Sequence, residues 1–496
     1  MLDLTLPREK RIMRLLEILP GFVSWNLILF PVWGAFVFPI GVAYFVLLFN
    51  VFWFYKSIAI ALFAVIAHFR IQAAQIYDWM GEVKTLPSWK KIRHIVIIPT
   101  YKEPLHTLER TLQALANQTF PTKLITAVIA FEAREDQHAR DEKQQQLSKK
   151  FGSKLDLMFT VHTLKTGEVV GKSSNERHAG IEAKKRIVDQ LKNPIDWVTV
   201  TSCDADHVYH KQHFAYLAHS FITDEHRHNR FWQPAVMFYN NFWRLPALTR
   251  VANTFATIWN TALLARSDRL LSCQNYSTSL TLLEKVDYWD PDVIPEDYRI
   301  FFKSYFKLNG NLEVVPLYIP LYADAVESIG WWRTLVNQYE QYKRWAWGVS
   351  DDPYIIRNYF FHNNIPLADK TVRVLRLIED HFLWPVNWFI VTLGVSIPSI
   401  VNPNFPRTAI GYSLPQISSG ILTICLVFLV IIIIIDAKQR PPAPAGEISR
   451  FRKLLIPFEF LLMPIAGFFF SALPGLDAHT RLMMGKYMEY RVTEKV

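Results

Sequence analysis

The sequence predicts an α/β domain inserted between two groups of membrane-spanning helices, and three observations lead to this fold class. Long apolar runs without charge occur near both ends of the 496-residue chain, and the first exceeds the roughly 20 residues that one helical span needs. Between these runs, short apolar segments alternate with amphipathic or charged ones, as strands alternate with helices in a mainly parallel sheet. Only 20% of the residues are charged whereas 51% are hydrophobic, so the apolar excess is assigned to the membrane.

The N-terminal region, residues 1–68, is predicted to form two membrane helices. Spans of about 18–37 and 39–67 account for its apolar residues, and Pro39 and Gly41 favour a chain reversal between them. Both spans are long enough to cross a bilayer.

The central region, residues 69–330, has the pattern of an α/β domain. Leucines from Leu105 to Leu115 recur at helical spacing, and the polar stretch 135–150 is typical of a solvent-exposed helix. In an open sheet of this kind, ligands bind at the carboxyl ends of the strands. The predicted strands are the apolar runs 94–99, 124–131, 157–161 and 197–201.

The C-terminal region divides into predicted interfacial helices over 331–381, membrane helices over 382–478 and a basic tail over 479–496. With two spans before the domain, three crossings here would place the tail on the far side of the membrane, against its basic composition. Prolines interrupt the last apolar segment, so that segment is either a third span or a re-entrant hairpin that returns the tail. The apolar segments lie near 382–401, 417–435 and 454–474.

Basic residues account for the net charge of +10 and are concentrated beside the apolar runs, at positions 8–14 and in the loop 438–453. Under the positive-inside rule both regions, and with them the α/β domain, face the cytoplasm. This predicts a multi-pass integral protein of the plasma (inner) membrane. A nucleic-acid partner is not expected, because the basic residues lie beside the spans rather than among aromatic residues on the domain.

No disulfide framework or structural zinc site is expected from the three cysteines, Cys203, Cys273 and Cys425.

Polar residues follow the first two predicted strands at the edge where ligands bind. Tyr101 and Glu103 come just after the first strand, and Glu132 comes directly after the second. A carboxylate at this edge can contact a ligand, but strand ends of this composition are also typical of turns and helix caps. Both interpretations stay open from these residues alone.

A small-residue loop and an acidic pair have the chemistry of a site for a metal and a diphosphate. Lys172, within Gly-Lys-Ser-Ser-Asn, is suited to a phosphate, although a surface lysine at a helix start has the same pattern. Asp204 and Asp206 follow an apolar strand one residue apart, so both can face one side and share a divalent cation with a diphosphate. The histidines at 207, 210 and 213 would line a helix face only loosely, and a dedicated zinc site is not expected.

Two further motifs follow along the chain. Glu296 and Asp297 come after a short apolar run, where acidic residues also occur in the first turn of a helix. Gln341, Arg344 and Trp345 lie in a stretch whose composition also suits an amphipathic helix on a membrane surface.

Taken together, the order and spacing of these motifs resemble the processive, membrane-integrated branch of family 2 glycosyltransferases, which contains cellulose, chitin and hyaluronan synthases. Asp204 precedes Asp297 by 93 residues, Gln341 follows Asp297 by 44, and the resemblance covers nearly the whole chain. The second strand departs from the family, since Phe-Glu-Ala stands in place of Asp-Asp-Gly. The resemblance implies a GT-A-type, Rossmann-like glycosyltransferase domain between N-terminal and C-terminal transmembrane helices.

The resemblance also implies a role for each motif and a requirement for Mg²⁺ or Mn²⁺. Asp204 and Asp206 would hold the metal, and Asp297 would be the general base. Glu296, Gln341 and Trp345 would contact the acceptor. The nucleotide sugar would be held by Tyr101, Glu103, Glu132, Lys172, Asp204 and Arg344.

The expected reaction is inverting transfer from a nucleotide sugar, with UDP-sugars favoured, to a growing polysaccharide that is extruded across the membrane. In-line attack assisted by a single base inverts the anomeric centre. One alternative is transfer of a single sugar to a membrane lipid, as ceramide glucosyltransferases do. A distant alternative is a transporter with a regulatory soluble domain, which is disfavoured because the runs 382–406 and 411–435 carry no charged residues.

Overall fold

The computed structural model describes residues 7–443 and 449–489. An eight-stranded sheet covered by helices forms the centre, and apolar helices precede and follow it. This arrangement confirms the predicted α/β domain between N-terminal and C-terminal apolar helices. The strands are β1 Arg93–Thr100, β2 Ile125–Glu132, β3 Asp156–His162, β4 Val198–Ser202, β5 Val208–Tyr209, β6 Arg230–Met237, β7 Tyr276–Ser279 and β8 Glu313–Tyr322.

The four predicted strands form β1 to β4, each within one residue of its predicted bounds. They pair in parallel in the order β3, β2, β1, β4. Every residue of β2 and β4 is buried, because helices cover both faces of the sheet. Burial on both faces explains why these strands are continuous apolar runs rather than alternating ones.

The rest of the sheet adds antiparallel pairs that the sequence did not predict, although β6 and β8 pair in parallel. Strand β7 is antiparallel to both β4 and β6, and β5 is antiparallel to β8, so the sheet is mixed. Strand β7 has the polar sequence Tyr-Ser-Thr-Ser, which carries no apolar run to predict it. Ser202 at the end of β4 pairs with Tyr276 at the start of β7. The residues before β7 therefore lie at the edge where β4 ends.

The helices of the domain occupy both faces of the sheet. The predicted helices at 105–115 and 135–150 are confirmed as α4 and α5. The helices up to the end of the domain are α1 Pro7–Val37, α2 Pro39–Ile76, α3 Trp79–Thr85, α4 Leu105–Ala116, α5 Gln137–Phe151, α6 Lys172–Lys184, α7 His213–Thr223, α8 Ala247–Leu264, α9 Leu280–Lys285 and α10 Glu296–Lys307.

The two N-terminal helices separate at Phe38, and Pro39 begins α2 as the sequence predicts. Helix α2 is longer than the predicted span. Its Ala64 packs with Ile258 of α8, and Ile71 belongs to the core of the sheet domain. The predicted boundary at residue 68 therefore falls inside a continuous helix that connects the apolar helices to the domain.

Eight helices follow the domain within the described residues. Helix α13 runs through the predicted boundary between 381 and 382 without a break. They are α11 Trp331–Ala346, α12 Asp352–Phe361, α13 Leu367–Leu393, α14 Ile397–Val401, α15 Ala409–Gln439, α16 Arg450–Glu459, α17 Met463–Gly467 and α18 Leu473–Met483.

Four described helical stretches are long and apolar enough to cross a membrane, namely Pro7–Val37, Pro39–Ile76, Ala409–Gln439 and Leu454–Met483. Contacts also show the course of α13 and α14, which are not among them. Near the domain, Asp380 and Glu379 of α13 pair with Lys56 of α2. At the opposite end, Asn402 donates to the carbonyl of Ala35 (2.9 Å), beside the turn between α1 and α2.

The last apolar segment, predicted as either a third span or a re-entrant hairpin, forms a series of helices. Its chain is helical from α16 to α18, and Pro464 and Pro474 stand in the first turns of α17 and α18. Glu459 at its beginning pairs with Arg250 of the domain. At its end, Arg14 of α1 donates to the carbonyl of Leu482 (2.9 Å).

The end of this stretch therefore lies beside the first part of α1, where Glu9 is ion-paired with Arg357 of α12 (2.6 Å). Residues 444–448 of the basic loop and residues 490–496 of the tail lie outside the described residues. The side chains of residues 450–453 are not described either.

Candidate active site

Most of the predicted site residues come together at one edge of the sheet. Strands β1, β2 and β4 end there, and the helices α6 and α10 begin there. Because β7 runs in the opposite direction, Gln274 and Asn275 before it reach the same edge. The sheet thus places residues that are distant in sequence around one polar cluster.

Lys172 lies at the centre of this cluster. Its Nζ is 2.9 Å from Asp204 Oδ1, 3.1 Å from Glu296 Oε1 and 2.9 Å from the carbonyl oxygen of Gln274. The side chain is only 10% exposed. The predicted phosphate-binding lysine therefore contacts both the predicted metal ligand Asp204 and Glu296 of the Glu296–Asp297 pair.

Glu176 is a site residue that the sequence analysis missed. It is fully buried on α6, its Oε1 lies 3.8 Å from Lys172 Nζ, and Ser202 Oγ donates to it (2.6 Å). Its position four residues after Lys172, on one helix face, is the signal that could have identified it.

Burial changes the protonation of this cluster. It raises the pKa of Glu296 and that of Glu176, although the nearby Lys172 opposes both shifts. For Lys172 itself, burial lowers the pKa, but the three surrounding carboxylates more than offset this and hold it well above its usual value. The lysine is therefore a permanent positive charge within an acidic cluster.

Asp297 has a different environment from its neighbour Glu296. Its Oδ2 accepts the Gln274 N–H (3.1 Å) and its Oδ1 accepts the Tyr298 N–H (2.9 Å). Burial raises the pKa of Asp297, while these two backbone hydrogen bonds lower it in part. The carboxylate is thus held in one orientation by backbone groups, as a positioned base requires.

Asp204, Asp206 and His207 form a group that could hold a metal ion, with one ligand atom of each within 4.8 Å of the others. Asp206 Oδ2 accepts the Asp324 N–H (2.8 Å), and the Asn275 amide contacts His207 Nδ1 (3.3 Å). His207 Nε2 therefore faces Asp204 Oδ2, at 3.7 Å. Two carboxylates with one imidazole suit Mg²⁺ or Mn²⁺, so the residues present fit the predicted metal.

The three histidines do not share a helix face. His207 precedes β5, whereas His213 begins α7 and packs against Tyr209, with ring centroids 4.7 Å apart. Only His207 joins the acidic pair. The signal that could have identified His207 is its position directly after Asp206, rather than its spacing from the other two histidines.

Tyr101 and Glu132 lie together beside Arg134. The Arg134 guanidinium is 4.5 Å from the centroid of the Tyr101 ring, and its Nε donates to Glu132 Oε2 (2.8 Å). Glu103 follows Lys102, which adopts a left-handed backbone with φ of 60°. An aromatic ring stacked with a guanidinium next to a carboxylate is a suitable surface for a nucleobase.

Helix α11 carries the last motif. Gln341 is buried and accepts from Gln338 Nε2 (3.4 Å), and Arg344 is half-buried on the same helix. The Trp345 ring lies 5.6 Å from Phe238, just beyond β6. Two residues further, Asn240 donates to the Asp206 carbonyl (3.2 Å), which connects this helix to the metal group.

Comparisons with known proteins identify similar folds only. No model of a known protein family matches the chain, and no curated protein matches it. Among solved structures, it is similar to the mannosyltransferase PcManGT from Pyrobaculum calidifontis in complex with GDP-Man and Mn²⁺, at 14% identity, over 77% of this chain and 100% of that chain, with a TM-score of 0.42. It is also similar to S. aureus TarS 1–349 in complex with UDP-GlcNAc, at 17% identity, over 81% and 93%, with a TM-score of 0.35. Similarities of this size do not define the donor or acceptor of this chain.

Proposed function

We propose that this protein is a family 2 glycosyltransferase that transfers a sugar from a nucleotide sugar, with UDP-sugars as the first candidates, to a growing polysaccharide. The observation that carries the proposal is the cluster in which Lys172 bridges Asp204 and Glu296 beside Asp206 and Asp297. A diphosphate leaving group needs positive charge, and an acceptor hydroxyl needs a base. This cluster supplies both within one site.

In this mechanism, Asp204, Asp206 and His207 would hold the divalent cation, which would supply positive charge for the diphosphate leaving group. Lys172 and Arg344 bind the phosphates of the nucleotide sugar, and Tyr101 and Glu132 hold its nucleobase. Asp297 removes the proton of the acceptor hydroxyl. The hydroxyl oxygen then attacks the anomeric carbon on the face opposite the leaving group, and the nucleoside diphosphate departs. One displacement inverts that centre, so an α-linked donor gives a β-linked product.

The acceptor is proposed to be a polysaccharide that is extruded through the membrane, as in the processive branch. Two features support this: the apolar helices on both sides of the domain pack against each other, and Trp345 lies where the domain meets them. Transfer of a single sugar to a membrane lipid is the alternative outcome of the same experiment.

The test is a screen of radiolabelled UDP-sugars, with GDP-mannose included, against membranes that contain this protein. We expect one donor to yield labelled product that elutes in the void volume of a sizing column and is degraded by a β-specific glycosidase. Label that extracts into organic solvent as a single-sugar lipid would instead assign the lipid acceptor. No incorporation from any donor would contradict the proposed function.

We further propose the topology. Helices α1, α2, α15 and the α13–α14 pair cross the membrane, while the stretch from α16 to α18 begins and ends on the domain side. Four crossings leave the domain, the start of α1, the end of α15 and the end of α18 on one side. The basic residues assign that side to the cytoplasm of the plasma (inner) membrane.

Cysteine labelling with a membrane-impermeant reagent checks this topology, after the three native cysteines are replaced. In intact cells we expect Asn404→Cys, in the turn before α15, to react. Gln145→Cys on the domain and Met484→Cys after α18 should react only in permeabilised cells. All three positions are exposed, so accessibility does not bias the comparison. Labelling of Met484→Cys in intact cells would make the last stretch a true span.

Trp345→Ala is expected to lower transfer by about tenfold or more while donor affinity changes by less than about twofold. The aromatic face of Trp345 suits a sugar ring of the acceptor. Loss of a contact with the acceptor lowers turnover and leaves donor affinity nearly unchanged. Turnover and donor Kd measured on the same preparation check this. Trp332→Ala, at the 70% exposed start of the same helix, is the matched control. Equal losses of donor affinity and turnover in Trp345→Ala would contradict acceptor stacking.

A further inference from the structure

The ammonium of Lys172 is fully engaged by oxygens of the protein. It has three N–H donors, and three oxygens lie within 3.1 Å of Nζ, on Asp204, Glu296 and Gln274. Its side chain is 90% buried, so water does not weaken these interactions strongly. The lysine therefore acts as the resident cation of the acidic cluster.

One of these partners is shared with the metal group. Asp204 Oδ1 is bound to Lys172, while its Oδ2 faces His207. A divalent cation held by Asp204 would lie close to the ammonium, and two like charges at short range in a partly buried site repel strongly. Occupation of Asp204 by the metal therefore opposes its interaction with Lys172.

Glu176 offers the ammonium another partner. Its Oε1 is already 3.8 Å from Nζ, and among the described residues its buried Oε2 has no hydrogen-bond partner. Ser202 Oγ fixes the carboxylate on the side of β4, two residues before Asp204. A small change in the Lys172 rotamer would exchange Asp204 for Glu176 without exposing the charge.

We propose that Lys172 competes with the divalent cation for Asp204, and that Glu176 is the positioning residue that retains the ammonium once the metal takes that carboxylate. The proposal deepens the proposed function and rests on it for the metal at Asp204. It implies that the metal binds weakly alone. A nucleoside diphosphate supplies negative charge for both cations, so metal and nucleotide bind cooperatively.

The test measures Mn²⁺ binding to the purified full chain by electron paramagnetic resonance, without nucleotide and then with UDP. Lys172→Met should bind Mn²⁺ about tenfold more tightly than wild type without nucleotide, because the competing charge is gone. Glu176→Gln should bind it more weakly, because the displaced ammonium loses its second partner. Lys172→Arg keeps the charge and should stay close to wild type. Lys185→Met, an exposed lysine just beyond α6, is the matched control.

The opposite signs separate this proposal from damage to the fold, which would weaken binding in both variants. Unchanged or weaker Mn²⁺ binding by Lys172→Met would overturn it. If Lys172→Met does not fold, Glu176→Gln decides, provided that its melting temperature equals that of wild type: weaker binding then supports the proposal, and unchanged or tighter binding overturns it. If the opposite shifts occur but no nucleotide sugar is a donor, the proposed function fails and the competition stands. If sugar is transferred but the two variants show no opposite shifts in Mn²⁺ binding, the proposed function stands and the competition between Lys172 and the metal fails.

Discussion

Asp297→Asn is expected to lower turnover by about 10²- to 10⁴-fold, the usual contribution of a general base, while donor and metal affinity stay near wild type. The substitution keeps the size of the side chain and removes the group that accepts the acceptor's proton. It also places an amide NH₂ near the Gln274 N–H, which the carboxylate accepts at 3.1 Å. The melting temperature must therefore be measured with the kinetics, so that lost turnover is not mistaken for lost structure.

Glu296→Gln is the matched control, since Glu296 is the adjacent carboxylate. It is ion-paired with Lys172 at 3.1 Å, so we expect its replacement to affect the charge balance of the site more than proton transfer, with a smaller loss of turnover. An inactive Glu296→Gln beside an active Asp297→Asn would reverse the assignment. Two active variants would mean that the pair is only the first turn of α10.

Removal of the divalent cation is expected to abolish transfer. Asp204, Asp206 and a diphosphate bring several negative charges together, and a site that holds them needs a counter-ion. Activity in excess EDTA should fall to background and return when Mn²⁺ or Mg²⁺ is added. Undiminished transfer in EDTA would contradict the metal-dependent mechanism.

The contribution of His207 can be measured in the same experiment. His207→Ala should raise the Mn²⁺ concentration for half-maximal activity by about tenfold or more, because it removes a ligand atom from the group. His210→Ala, three residues away and outside the group, should leave that concentration unchanged. Equal effects of the two substitutions would remove His207 from the metal site.

The candidate site was predictable where its chemistry lies in local motifs. Lys172, Asp204 and Glu296 were each identified by residue type and by position after an apolar run or small-residue loop, and the structure brings them into contact. Glu176 was not identified, because a buried glutamate within a polar helix looks like any solvated residue until its neighbours are known. His207 was set aside because spacing alone does not show which histidine faces a carboxylate.

The course of the helices shows the same division. Hydropathy predicted the two N-terminal spans, and Pro39 indicated the turn between them. The pattern could not show that α2 continues past residue 67, because Ile71 packs in the core of the domain rather than against lipid. It also could not show where the last apolar stretch ends, since a helix of 30 residues is long enough to span. The contact of Arg14 with Leu482 places the end of that stretch beside the first part of α1.

The sequence by itself determined the parallel half of the sheet, the flanking apolar helices and most of the polar residues at the site. These depend on periodicity and residue type, which act over a few neighbouring positions. Only the tertiary structure decided that β7 runs antiparallel, that Gln274 reaches Asp297, and that one lysine bridges the metal group and the acidic pair. These contacts join residues many positions apart, and their geometry is set by the packing of the whole domain around its sheet.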